Sequence, residues 1–219
     1  MAESKKIITT SNASGAVRYA KAGLAVMVVD VIDMSTTLEG ALDAGAWRVY
    51  GASPDFTRAP VVVNPERIGI EAARAAREAG TGIIVVSEPR VGTDEERLQR
   101  CQKLMAGVEK GRGVIEAILP NLGAETAKLT DFAGRVVVAV TDTGGVAFDA
   151  AYQVTPNVVT GTVARTMKQK GEEPAITAAR RALTMLDRLP GIAIVAASAN
   201  SLEDILAARY IAGLVRKAR

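Results

Sequence analysis

The chain has 219 residues, 48% hydrophobic and 23% charged, with 27 Lys and Arg against 24 Asp and Glu for a net charge of +3. This is a globular composition with enough apolar residues for a core that needs no disulfide. There is no histidine, which excludes Ser-His-Asp and Cys-His catalysis, imidazole-bound zinc and imidazole acid/base chemistry.

The basic residues are scattered, without a stripe of interleaved aromatics, so no nucleic-acid partner is expected. The single Cys101 cannot form an internal disulfide and reads as an ordinary helix residue. No signal peptide precedes the charged opening Ala2-Glu3-Ser4-Lys5-Lys6. Apolar runs such as Leu24 to Val29 fall far short of the roughly 20 residues that cross a bilayer. The expectation is a soluble, cytoplasmic protein of one domain spanning 1–219, with no membrane partner.

In chain order, short continuous apolar runs alternate with longer amphipathic stretches, the pattern of buried parallel strands joined by helices. The fold class is α/β, a three-layer α/β/α arrangement around a mostly parallel central sheet. The first clear strand is Leu24 to Ile32. A helix follows, with Thr36 and Glu39 at capping-box spacing, and stops at Gly45. Trp47 to Tyr50 is a short strand, Glu66 to Ala79 a helix ending at Gly80, and Gly82 to Val86 a buried strand. Thr93 to Val108 reads as one helix with an acidic first turn, Asp94-Glu95-Glu96. Val114 to Leu119 is a strand and Ala124 to Leu129 a short helix. Arg135 to Val140 is a strong strand, leading through Thr141-Asp142-Thr143-Gly144-Gly145 into a helix that runs to Tyr152. Asn157 to Gly161 is a strand and Pro174 to Leu189 a helix. Ile192 to Ala197 is the last strand and Leu202 to Arg216 the last helix, started by Ser201 with Asp204 three residues on. The methionines and the lone Trp47 sit in apolar segments and read as core. The alanine-rich helices would pack on a sheet or on a second subunit, and a homo-oligomer is expected.

Ligands of open parallel sheets bind beyond the carboxyl ends of the strands, where loops leave the core and helices present unpaired N–H groups. The exits here supply Asp30 and Asp33 with Ser35, Thr36 and Thr37, then Glu88 and Arg90, then Thr141, Asp142, Thr143, Gly144 and Gly145, and finally Asn200 and Ser201. Acidic exits beside hydroxyl-rich helix starts suit Mg²⁺ held by carboxylates, with an anionic ligand on backbone N–H groups. Asp30 ends a run buried on both faces, where an unpaired carboxylate is costly. The same Asp, Ser and Thr residues also suit plain helix capping, and Arg90 reads equally as an anion clamp or a solvated loop residue. Gly144-Gly145 would cradle a phosphate but matches no nucleotide fingerprint.

Val29-Asp30-Val31-Ile32-Asp33-Met34-Ser35-Thr36-Thr37-Leu38-Glu39, running on to Gly45-Ala46, resembles the opening motif of the 2-phosphosulfolactate phosphatase family. Ser87-Glu88-Pro89-Arg90-Val91-Gly92, Thr141-Asp142-Thr143-Gly144-Gly145 and Ser201-Leu202-Glu203-Asp204 resemble later motifs of that family in the same order. The resemblance implies a Mg²⁺-dependent phosphatase that hydrolyses a phosphate monoester of a small sulfonated or carboxylated acid, a step of coenzyme M biosynthesis. Asp30 and Glu88 would hold the metal, with Asp33 and Asp142 completing the catalytic carboxylates. Arg90 would take the second acid group of the anionic substrate. Phosphate oxygens would lie on Ser35, Thr36, Thr37, Thr141, Thr143, Gly144, Gly145, Asn200 and Ser201. The chain departs from the family pattern at Met34 and at Val146-Ala147, two places where that pattern carries arginine. The alternative is a divergent paralogue that binds a small anionic metabolite, or performs lyase or isomerase chemistry on it.

Overall fold

Runs such as Ala25-Val26-Met27-Val28-Val29 and Val136-Val137-Val138-Ala139-Val140 have every residue buried, which is possible only for strands covered on both faces. The computed structural model describes residues 5–219, so Met1 to Ser4 of the charged opening segment lie outside the described residues. The strands are β1 Lys6–Ser11, β2 Ala25–Val29, β3 Arg48–Ala52, β4 Ile83–Ser87, β5 Ile115–Pro120, β6 Val136–Val140, β7 Val158–Gly161 and β8 Gly191–Ala196. The helices are α1 Asn12–Lys21, α2 Met34–Asp43, α3 Pro65–Ala79, α4 Asp94–Gln99, α5 Gln102–Lys110, α6 Gly144–Tyr152, α7 Glu173–Arg188 and α8 Leu202–Lys217, with a 3₁₀ turn at Gly123–Lys128. No helix among the described residues is long and apolar enough to cross a membrane.

All strand pairings are parallel, and they divide into two four-stranded sheets, β1-β8-β2-β7 and β3-β6-β4-β5. The contiguous middle of the chain builds the second sheet; its two ends build the first. One face of the first sheet, with Met27, Val29, Ile192 and Ile194, packs under α7 and α8. Its other face, with Val26, Val28, Ala193 and Val195, joins a core that continues through α1, α2 and α6 into the second sheet. Helix α3 covers the far side of that sheet, and α5 packs against α3. The α/β/α layering expected from periodicity therefore forms around each sheet, with α2 and α6 serving both. The carboxyl ends of β2 and β6 meet where the two sheets adjoin, which creates the crevice described below.

Several local expectations change. Strand β1 and helix α1 precede the first strand read from sequence. β1 is an edge strand of half-buried residues without a continuous apolar run, and the buried residues of α1 are all small, Ala13, Gly15, Ala16 and Ala20, with Val17 and Tyr19 only partly buried against the core. The capping box expected at Thr36 and Glu39 is absent. Helix α2 begins at Met34 with Asp33 at the N-cap position, so both residues lie inside the helix. There the Glu39 carboxylate is buried against Arg181 of α7, which also donates to Thr160 O at 2.7 Å. A capping box does form at Thr93, with Glu96.

The single helix expected over 93–108 is two, α4 and α5, broken at Arg100-Cys101. The break is tertiary in origin: the Asp55 carboxylate accepts from Gln102 N at 2.7 Å and Lys103 N at 3.0 Å, capping α5 from a distant loop. Cys101 is accordingly a fully buried junction residue with its thiol on Ser87 Oγ, not a mid-helix position. Trp47, read as core, is 42% exposed.

Candidate functional site

β2 delivers Asp30 to the junction of the two sheets, where only 3% of the residue reaches solvent. Its Oδ2 accepts from Gly144 N at 2.9 Å and Thr143 Oγ1 at 3.2 Å, and its Oδ1 from Asp33 N at 3.1 Å. A carboxylate thus occupies the positive end of α6, the place an anionic ligand would take. Glycine is required at 144 because a Cβ there would collide with Asp30 Oδ2. At 145 a Cβ would collide with Ala52 O, and the N–H is given to Thr141 Oγ1 at 2.8 Å. The glycine pair therefore cradles the protein's own carboxylate.

The hydroxyls expected to face a substrate are also turned inward. Ser35 Oγ donates to Val28 O and accepts from Asp30 N. Thr36 donates to Val31 O and contacts Thr162 Oγ1 at 2.8 Å, and Thr37 donates to Asn121 Oδ1. Ser201 Oγ caps α8 by accepting from Asp204 N at 3.1 Å, while exposed Asn200 donates its N–H to Ser198 Oγ. Asp204, read as a helix-start residue, accepts from Val31 N at 2.9 Å and Ser198 N at 3.3 Å, tying the β2 and β8 exits together. Burial raises its pKa, against the Val31 hydrogen bond and with help from Asp30.

Five expected residues do converge on the open rim: Asp33, Glu88, Arg90, Asp142 and Thr143. Arg90 Nη2 lies 3.3 Å from Asp33 Oδ1, and its Nε donates to Asn121 O at 3.0 Å. A second cation, Arg100, escaped the sequence reading. Its Nη2 lies 2.5 Å from Asp142 Oδ2 and 3.7 Å from Glu88 Oε2. Arg100 ends α4, so it reaches the rim only because Asp55 breaks the helix there, and no local spacing signals that break. Burial pushes the Asp33 carboxyl above its ordinary range, reinforced by Asp30 and Asp142 and opposed by Arg90. Glu88 is raised by burial and by Asp33 and Asp142, against Arg100 and Arg90. With Asp30 included, four carboxylates face two guanidiniums. The buried Arg100 Nε and Asn121 Nδ2 meet no acceptor among the described residues.

A cavity of about 460 Å³ opens beside this rim. Its walls include Asp142, Thr143, Ser198, the start of α1 and the 53–64 loop with Phe56 and Arg58. Asp149 of α6, fully buried, pins both ends of that loop: it accepts from Ser53 Oγ at 2.7 Å, Ser53 N at 3.2 Å and Asn64 N at 2.8 Å. Burial raises its pKa, while these bonds and one from Gln153 work the other way. Arg58 has no carboxylate partner among the described residues, which leaves a free cation at the cavity wall.

Among the described residues no group of three or more His, Cys, Asp and Glu side chains is assembled around a common metal position. Mg²⁺ commonly takes only one or two carboxylates, with waters and substrate oxygens completing its shell. The mutually repelling, half-buried Asp33 and Glu88 are donors of that chemistry. Asp30, paired with Glu88 in the sequence reading, is committed to Gly144, Thr143 and Asp33, and it is Asp33 and Asp142 whose charges bear on Glu88. No family model matches the chain, and no curated protein matches it.

Proposed function

We propose that the rim is the active site of a phosphatase acting on a phosphate monoester of a small sulfonated or carboxylated acid, of the 2-phosphosulfolactate type. The observation that carries this reading is the meeting of Asp33, Glu88 and Asp142 from separate strand exits with Arg90 and Arg100, beside a cavity walled by Arg58, which has no carboxylate partner among the described residues. The sequence resemblance supports the same reaction and implies a step of coenzyme M formation; a cytoplasmic, homo-oligomeric enzyme is part of the proposal.

In this mechanism the phosphoryl oxygens lie on Arg90 and Arg100, whose planar guanidinium groups suit bidentate anion contacts. Arg58 receives the second acid group, taking over the part that the family pattern gives to arginines absent from Met34 and Ala147. Asp33 and Glu88 would hold Mg²⁺, which when bound polarises the phosphoryl group as a Lewis acid. Water attacks phosphorus and gives its proton to Asp142, while the P–O ester bond breaks. The leaving alkoxide takes its proton from solvent at the open rim, and Asp142 returns the proton it accepted to solvent. The products are the free alcohol and inorganic phosphate. Asp30 acts indirectly by fixing α6 and Thr143 beneath the rim.

The test is phosphate release from 2-phosphosulfolactate and from p-nitrophenyl phosphate with Mg²⁺ or Mn²⁺. Release that falls about 100-fold or more in Glu88→Gln and Arg90→Ala is expected, a loss of roughly 2.7 kcal/mol in transition-state stabilisation. No release from either ester sinks the hydrolase reading. A second reading, a binder of small anionic metabolites or an enzyme of another class acting on them, is favoured by one observation: Asp30, the first expected metal ligand, is committed to Gly144 N, Thr143 Oγ1 and Asp33 N. Saturable binding of the ester without phosphate release selects it.

A further inference from the structure

At the opposite edge of the sheets, near the start of β3 and β7, a second cavity of about 410 Å³ opens between the two edge strands. One wall is aromatic. Tyr50 and Tyr152 meet edge to face with centroids 5.8 Å apart, and Phe148 stacks on Tyr152 at 6.0 Å. At the mouth, Arg48 lies over the Trp47 ring at 4.6 Å. Three guanidiniums reach this cavity, from Arg48, Arg74 and Arg181. Arg74 is paired with Glu71 and Glu78, and Arg181 with Glu39. Arg48 has no carboxylate partner among the described residues, so the cavity carries one uncompensated positive charge beside a π surface.

We propose that this cavity is a second binding site, for a planar aromatic anion such as an aryl carboxylate or aryl phosphate. The ring lies against the edges of Tyr50 and Tyr152 that line the cavity, with Phe148 backing Tyr152, where edge contacts add to the burial of apolar surface. The acid group lies on Arg48, which Trp47 holds from behind by a cation–π contact. Burial lifts the Tyr152 phenol to about 12, so it stays protonated and available as a hydrogen-bond donor to the anion. A cavity of this volume encloses a compact ligand of one or two rings. The site is separate from the rim: α6 points its first residue, Gly144, at Asp30 and presents Phe148 and Tyr152 here.

The assay is built into the sequence, because Trp47 is the only tryptophan in the chain. Tryptophan emission of the full chain is followed during titration with 4-hydroxybenzoate, with cyclohexanecarboxylate as the non-aromatic acid and benzyl alcohol as the uncharged ring; calorimetry of the same titrations gives a second readout. A saturable response to 4-hydroxybenzoate is expected, about tenfold weaker in Arg48→Gln and weaker still for both controls. Arg48 is exposed, so this variant keeps the fold, and circular dichroism checks that it does. Binding unaltered in Arg48→Gln, equal binding of cyclohexanecarboxylate, or no saturation by either readout at millimolar ligand overturns the proposal.

Discussion

Replacing Asp30 with alanine tests whether this carboxylate is the keystone of the sheet junction. The change removes the acceptor of Gly144 N, Thr143 Oγ1 and Asp33 N at a position 97% buried from solvent. Gly144 N lies in a fully buried first turn, and a buried donor left without a partner costs about 1–3 kcal/mol. Loss of the charge at the positive end of α6 adds about 0.3–1 kcal/mol. Thr143 and Asp33 lie nearer solvent and can turn to water, so the expected loss is about 1.3–4 kcal/mol. For a chain of this length that corresponds to a fall in Tm of roughly 3–16 °C. Urea unfolding at pH 7 measures it directly, and Asp30→Asn, which keeps one acceptor oxygen, should lose less.

The same geometry makes Gly144→Ala destabilising by about 1–3 kcal/mol, because the new methyl strikes Asp30 Oδ2. Asp30→Ala removes the Oδ2 contact but leaves Met34 Cβ at 2.8 Å and the Cβ of residue 30 at 2.9 Å, so the double variant should be more stable than the sum of the singles by about 0.5–1 kcal/mol. Additive losses, or a loss below about 0.5 kcal/mol for Asp30→Ala, would refute the keystone role. These are stability measurements, so they hold whatever ligand the rim takes.

Arg181→Met leaves the Glu39 carboxylate buried without its partner and should cost about 3–5 kcal/mol at neutral pH. Glu39 is already raised by burial, and a raised acid destabilises the fold above its pKa. The loss should therefore shrink as the solution is acidified, and a pH-independent loss in denaturant melts would contradict the assignment. Glu88→Gln removes one of a set of mutually repelling, half-buried acids. It should raise the neutral-pH midpoint of unfolding, with the advantage fading at acid pH, where wild-type Glu88 is itself protonated; an advantage that grows on acidification would be inconsistent with the raised pKa. The Cys101 thiol, fully buried and pushed up to about 11, should resist alkylation at pH 8, where roughly a thousandth of it is ionised. Labelling should proceed at the rate of unfolding, and fast labelling of native protein would place the thiol outside the core.

Much of the site was legible from a single rule, that polar chemistry collects where parallel strands end. That rule selected Asp33, Glu88, Arg90, Asp142 and Thr143, which converge on the rim. It also selected Ser35, Thr36 and Thr37, whose hydroxyls bond inward, because a strand exit specifies position along the chain and not the direction a side chain turns. Arg100, Asp149 and Arg58 were not selected. Their roles depend on a helix break made by Asp55, on a loop pinned from α6, and on the absence of a nearby acid, none of which leaves a mark within a few residues.

The boundary between what the sequence determined and what the tertiary structure decided follows the range of the interactions. Continuous valine and isoleucine runs, the Ser201–Asp204 cap and the glycine stops at Gly45 and Gly80 act within one turn or one strand, so spacing alone encodes them. The division into two sheets, the seating of Asp30 on Gly144 and the pairing of Arg100 with Asp142 join residues 32 to 185 positions apart. Such partners are chosen by burial and charge once the chain has packed, and only the packed structure reveals which acid meets which donor.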